Sequence, residues 1–167
     1  MLRLMLSLAT SLVALAPAAY ADEFPPRKPG LWEITMSSEQ APPEVTRTCI
    51  DAAFEAKMHA MGNTDTAGLC SRHDTQRSGN TVTGDSVCRV GSSQVTSHTV
   101  TTLTDDTAYT MVMMAHYDPP MFGGRADSKM TQEAKWLGPC GADMQPGDMI
   151  IHGQKMHIPA MPQGAHP

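Results

Sequence analysis

Four cysteines, Cys49, Cys70, Cys88 and Cys140, constrain this chain more than any other feature, because its first 21 residues send them to an oxidising destination. Arg3 leads into an apolar run over residues 4–15, Pro17 interrupts it, and Ala19-Tyr20-Ala21 supplies the small-x-small pattern that a signal peptidase cleaves. Residues 1–21 are therefore expected to be a signal peptide, and the mature chain to start at Asp22 in the periplasm. The run is too short to span a bilayer, and no later segment reaches the roughly 20 apolar residues of a transmembrane helix. No cysteine follows it to accept a lipid. In that compartment an even set of cysteines predicts two disulfides. No two of them have the two-residue spacing of a redox-active pair or a zinc knuckle.

Spacing narrows the pairing without closing it. Ser78-Gly79-Asn80 lies midway between Cys70 and Cys88, and a three-residue hairpin loop there sets those two cysteines opposite one another. Cys49 would then join Cys140. The alternative, Cys49 with Cys70 and Cys88 with Cys140, stays open. The bridges matter because Leu, Ile, Val and Phe are sparse enough after residue 21 to suggest disorder on composition alone. Methionine, of which the chain has 14, must fill much of the core. The formal net charge is −5 and the basic residues are scattered, which argues against nucleic acid or an anionic membrane surface as partner.

Side-chain periodicity predicts mostly strand. Trp32, Ile34 and Met36 alternate with polar residues after Pro29-Gly30, giving a strand over residues 31–36. A turn around Pro42-Pro43 returns the chain as a strand over 45–49. Ile50, Phe54, Met58 and Met61 form the stripe of one short helix over 51–61, stopped by Gly62-Asn63. Turn signals between Cys70 and Trp136 divide that region into about five strands. The last of these alternates Met130, Ala134 and Trp136 with Lys129, Thr131, Glu133 and Lys135, as a sheet with one wet face requires. The expected domain, residues 22–140, is a mainly β, curved antiparallel meander or barrel-like sheet with one helix. Residues 141–167, rich in Pro, Met and His, are expected to be a disordered tail.

The order of these elements resembles a known family. The signal peptide, Arg27-Lys28-Pro29-Gly30-Leu31-Trp32-Glu33-Ile34, the cysteine before a helix, the Cys70 to Cys88 hairpin, a Met-rich strand pair and the closing Trp136-Leu137-Gly138-Pro139-Cys140 are similar to the bacterial exported proteins grouped as domain of unknown function 3617. The resemblance covers residues 27–140. It implies an exported β domain and carries no assigned activity.

Soft-metal chemistry is the sharpest function the residue types suggest, since thioether sulfur and imidazole suit Cu(I). Met58 and Met61, around His59, belong to the helix stripe and serve the core. On one strand Met111 and Met113 face away from Met114 and His116, so one ion cannot take all four and packing is the expected role. The tail has no core to fill, and Met149, His152, Met156, His157 and Met161 are the expected copper ligands of that reading. Its alternatives are docking on the domain and reversible oxidation of exposed methionine.

No catalytic residues are expected. The chain lacks a nucleophile elbow, a phosphate-cradling glycine loop and a His-Glu-x-x-His pair. His73-Asp74 are strand neighbours that point to opposite faces, and Asp118 introduces the Pro119-Pro120 turn. The expectation is a soluble, non-enzymatic binding or envelope-maintenance module without a cofactor. A small hydrophobic ligand would sit in a cavity lined by Tyr109, Met111, Met113, Met130 and Trp136. Copper held by the tail is the second reading.

Overall fold

Residues 24–158 are described by the computed structural model, with the backbone alone at 62–67. In chain order the elements are β1 (Gly30–Ser38), β2 (Ala41–Ile50), α1 (Ala52–Leu69), β3 (Cys70–Ser78), β4 (Thr81–Val90), β5 (Ser93–Leu103), β6 (Ala108–Met121), β7 (Arg125–Gly138), β8 (Asp148–Ile151) and β9 (Gln154–His157). All strands join one antiparallel sheet in the spatial order β3-β4-β5-β6-β7-β1-β2-β8-β9. The expected meander is there as β3 to β7, five strands as the turn signals indicate. The sheet is open, so of the two expected forms it is the curved meander and not the closed barrel.

Topology sets the length of the helix. Five strands separate β2 from β3, so α1 must cross six interstrand steps of about 4.8 Å, roughly 29 Å in all. Its 18 residues at about 1.5 Å each give roughly 27 Å. The expected stop at Gly62-Asn63 would have left it about half the width short, and this need overrides the local glycine signal. Asp51 caps the start, its Oδ1 accepting the Phe54 N–H at 2.7 Å. Phe54, Met58 and Met61 are half-buried, as their stripe predicts, and Glu55 beside them is buried.

The face under α1 holds the core: Trp32, Ile50 and Ala134, with Ile34, Phe54, Tyr109 and Trp136 packed against them. Trp32 and Trp136 are cross-strand partners. Both indoles grip the chain leading into β1, Trp32 Nε1 donating to Lys28 O at 2.8 Å and Trp136 Nε1 to Pro29 O at 3.0 Å. Gly30 has φ +140, and a Cβ there would collide with Gly138 O and Trp136 Nε1. The Pro-Gly-Leu-Trp sequence is thus the form of a crossing that two indoles close and no side chain can enter.

The disulfides join Cys70 with Cys88 and Cys49 with Cys140, the first of the two pairings that spacing allowed. The hairpin loop has two residues, not three, since Ser78 pairs directly with Thr81. That register alone would offset the cysteines by one residue, and a bulge between Cys70 and Arg72 restores them to opposite positions. Pro42 and Pro43 lie within β2 instead of the turn, which is at Glu39 and Gln40. They fall where the β1 register shifts, and β8 reaches β2 only at Thr46 to Thr48. Proline is tolerated where no ladder bond is required.

The expected disordered tail is corrected over residues 141–158. Thr46, Arg47 and Thr48 pair with Ile151, Ile150 and Met149, and β8 turns through His152 and Gly153 into β9. Both turn residues have positive φ, 50° and 76°, as a two-residue hairpin requires. The hairpin covers an edge that β2 would otherwise leave unpaired. Residues 159–167, including Met161, lie outside the described residues, as does the expected signal peptide.

On the outer face Glu33 is held between Lys135 Nζ at 2.8 Å and Arg47 at 2.9 Å. Hydrogen bonds from Lys135 first and Arg47 second hold its carboxyl below the ordinary range. The folded state therefore binds the Glu33 proton less readily than the unfolded chain. Its stabilisation is complete above the unfolded carboxylate range, near pH 4.3, and is lost as pH falls through the lower folded value. Urea midpoints should fall on acidification through that window, and Glu33→Gln should flatten the fall. Because both cations are more than half exposed, the variant should cost only about 1 kcal/mol at pH 7. An unchanged acid profile in the variant would refute the assignment.

Candidate functional site

Between α1 and the sheet lies a cavity of about 300 Å³. Ile34 from β1, Leu103 from β5 and Tyr109 and Met111 from β6 give it an apolar floor; Phe24 and Pro25 close one side. Strand alternation puts these residues on one face, and the antiparallel register brings Leu103 beside Tyr109 and Thr101 beside Met111. The polar groups are Arg27, Glu55, His59, Thr101 and Gln132.

Glu55 is the centre of this polar set. It is 5% exposed, although α1 places it next to the apolar stripe. All its contacts fall on Oε1: Arg27 Nε donates at 2.9 Å, and His59 Nε2 lies 3.6 Å away. The Arg27 guanidinium also sits over Trp32, 5.5 Å from the ring centroid, which fixes it against the core. Oε2 has no hydrogen-bond partner among the described residues. Neither does Oγ1 of Thr101, which is 1% exposed. Buried polar atoms are nearly always paired, so two orphans in one cavity call for a partner. Gln132 Nε2 donates to the Tyr109 hydroxyl at 2.6 Å, leaving that phenol's own hydrogen for another acceptor.

Of the expected cavity residues, Tyr109 and Met111 line this space. Met113 and Met130 pair with each other further along the same face, and Trp136 is spent on the β1 crossing. Arg27, Glu55, Thr101 and Gln132 were missed. Their signal is weak in sequence, because only the path of α1 across the sheet buries them. The expected copper ligands are divided. Met149 and Met156 pair on one face of the terminal hairpin, whereas His157 faces the other way, its Nδ1 2.8 Å from Asp148 Oδ1. His152 occupies the turn. Asp148 is held below the ordinary carboxylate range by the Gln145 N–H and then by His157. Among the described residues no three His, Cys, Asp or Glu side chains gather to hold a metal, and no helix is long and apolar enough to cross a membrane.

His73 and Asp74 do not act together: Asp74 pairs with Arg72. His116 takes Asp127 across the sheet and not Asp118. No curated protein matches the chain, and neither does any solved structure. A family profile does. It spans residues 27–140, from the arginine on Glu55 to the cysteine that bridges to Cys49, and by that match the chain belongs to the family described as "Protein of unknown function (DUF3617)".

Proposed function

We propose that this protein is an exported, soluble, non-enzymatic binding module of the periplasm that takes a small amphipathic molecule beneath α1. The observation that carries the reading is the pair of unpartnered buried oxygens, Glu55 Oε2 and Thr101 Oγ1, in one cavity with an apolar floor. A ligand with a hydrogen-bond-donating head, such as a hydroxyl or an amine, satisfies both and lays its body on Ile34, Leu103 and Met111. A volume of about 300 Å³ is at the lower end of ligand pockets. Two disulfides fit an oxidising compartment.

The test is a fluorescence titration with N-phenyl-1-naphthylamine, a probe with two apolar ring systems and one N–H donor. Wild type should give saturable one-to-one enhancement. Met111→Trp, which fills the floor, should abolish it, and Glu55→Gln should weaken it about tenfold, equivalent to about 1.4 kcal/mol. Absence of saturable binding, or binding indifferent to Met111→Trp in a folded variant, would overturn the proposal.

A further inference from the structure

On the face of the sheet turned away from α1, four strands build a second constellation. β5 and β6 are in register with His98 opposite Met114, and His116, two residues further on, shares the Met114 face. The flanking strands supply one carboxylate each: Asp85 of β4 opposite His98, and Asp127 of β7 opposite His116. The hydrogen bonds are alike. His98 Nδ1 lies 2.8 Å from Asp85 Oδ1, and His116 Nδ1 lies 2.9 Å from Asp127 Oδ1. A carboxylate on Nδ1 keeps the proton on that nitrogen and leaves the Nε2 lone pair facing outward. Metal-binding imidazoles are commonly oriented in this way, by an outer carboxylate on the nitrogen that does not bind.

The third donor is Met114. It is 47% exposed and so is not spent on the core. It is opposite His98 across the ladder and two residues before His116 on the same strand. His98 and His116 are diagonal neighbours, a separation of about 7–8 Å between Cα atoms that long side chains span. All five residues line one shallow concavity of about 470 Å³. Lys129, opposite Met114, and Glu39 also line it, so three carboxylates face one ammonium and the surroundings favour a cation.

We propose that His98, Met114 and His116 form a Cu(I) site, with Asp85 and Asp127 as positioning residues. Two imidazoles and one thioether are a soft, nitrogen–sulfur donor set that suits Cu(I) and offers little to hard cations. The site is on the opposite face from the Glu55 cavity and shares no residue with it, so either can fail alone.

The measurement is anaerobic competition of the mature protein for Cu(I) held by ferrozine, with ascorbate as reductant so that the disulfides stay intact. Wild type should withdraw one equivalent. Met114→Leu, nearly isosteric and half exposed, should weaken binding at least tenfold, and His116→Gln more. Asp127→Asn should weaken it about tenfold while keeping the one-to-one stoichiometry, the signature of orientation without ligation. The double variant Met149→Leu, Met156→Leu should bind as wild type does. Two results would overturn the proposal: all the copper staying with ferrozine, or binding that survives Met114→Leu and His116→Gln but is lost in the hairpin double variant.

Discussion

Trp32→Ala is expected to cost about 3–5 kcal/mol, read as a fall in the urea midpoint followed by circular dichroism. The indole is 1% exposed and meets Ile50 and Ala134 in the only buried hydrophobic cluster identified among the described residues. Its ring lies 6.2 Å from that of Tyr109, under the Arg27 guanidinium, and its N–H ends on Lys28 O. Alanine removes all of these together and leaves a cavity that rigid strand backbones cannot close. A domain of this size has about 5–15 kcal/mol in total, so the loss would be a large fraction of it. Trp136→Ala should cost less, about 1–2 kcal/mol, because that ring is half-buried and partly covered by Lys28, 4.0 Å from its centroid. Equal losses in the two variants would mean that the core is not centred where the packing places it. The effect on ligand binding follows the same route, since Arg27 reaches Glu55 from its seat on Trp32.

Much of this architecture was legible because it rests on short-range physics. Alternation in β1 and β7 identified the inner face, as Trp32, Ala134 and Trp136 now confirm, and the turn at Gly79-Asn80 located the first disulfide to within one residue of register. What could not be read depends on contacts distant in sequence. The length of α1 is set by the number of strands it crosses, which no window around Gly62 reveals. Glu55 reads as one more helix carboxylate until Arg27 and Thr101, 28 residues before it and 46 after it in the numbering, close around it. The strands β8 and β9 have four residues each, too few for a period to emerge, and they are ordered by the open edge of β2. Of the outer-face imidazoles only His116 was singled out in the sequence; its relation to His98 exists only in the β5–β6 register.

Removing the Cys49–Cys140 bridge should be the more damaging of the two disulfide deletions. It closes 91 residues and the Cys70–Cys88 bridge 18, and restriction of the unfolded chain grows with the logarithm of that length, giving about 4–5 against about 3 kcal/mol. The native contacts sharpen the difference. Cys70 and Cys88 sit across a hairpin whose ladder and tight turn already bring them together, so Cys70→Ala with Cys88→Ala leaves much of that proximity in place. Cys49, fully buried, is on β2, and Cys140 follows β7; β1 lies between those strands, so no ladder joins them directly. The Cys49 carbonyl also accepts the Gly147 N–H that starts the terminal hairpin. The Cys49→Ala, Cys140→Ala variant should therefore lose β8 and β9 as well, seen as raised amide exchange from 148 to 157 and a urea midpoint well below that of the other pair. If the two double variants lost stability equally, or in the reverse order, the chain would be held by its hairpins and not by the long closure that ties β2 to the segment after β7.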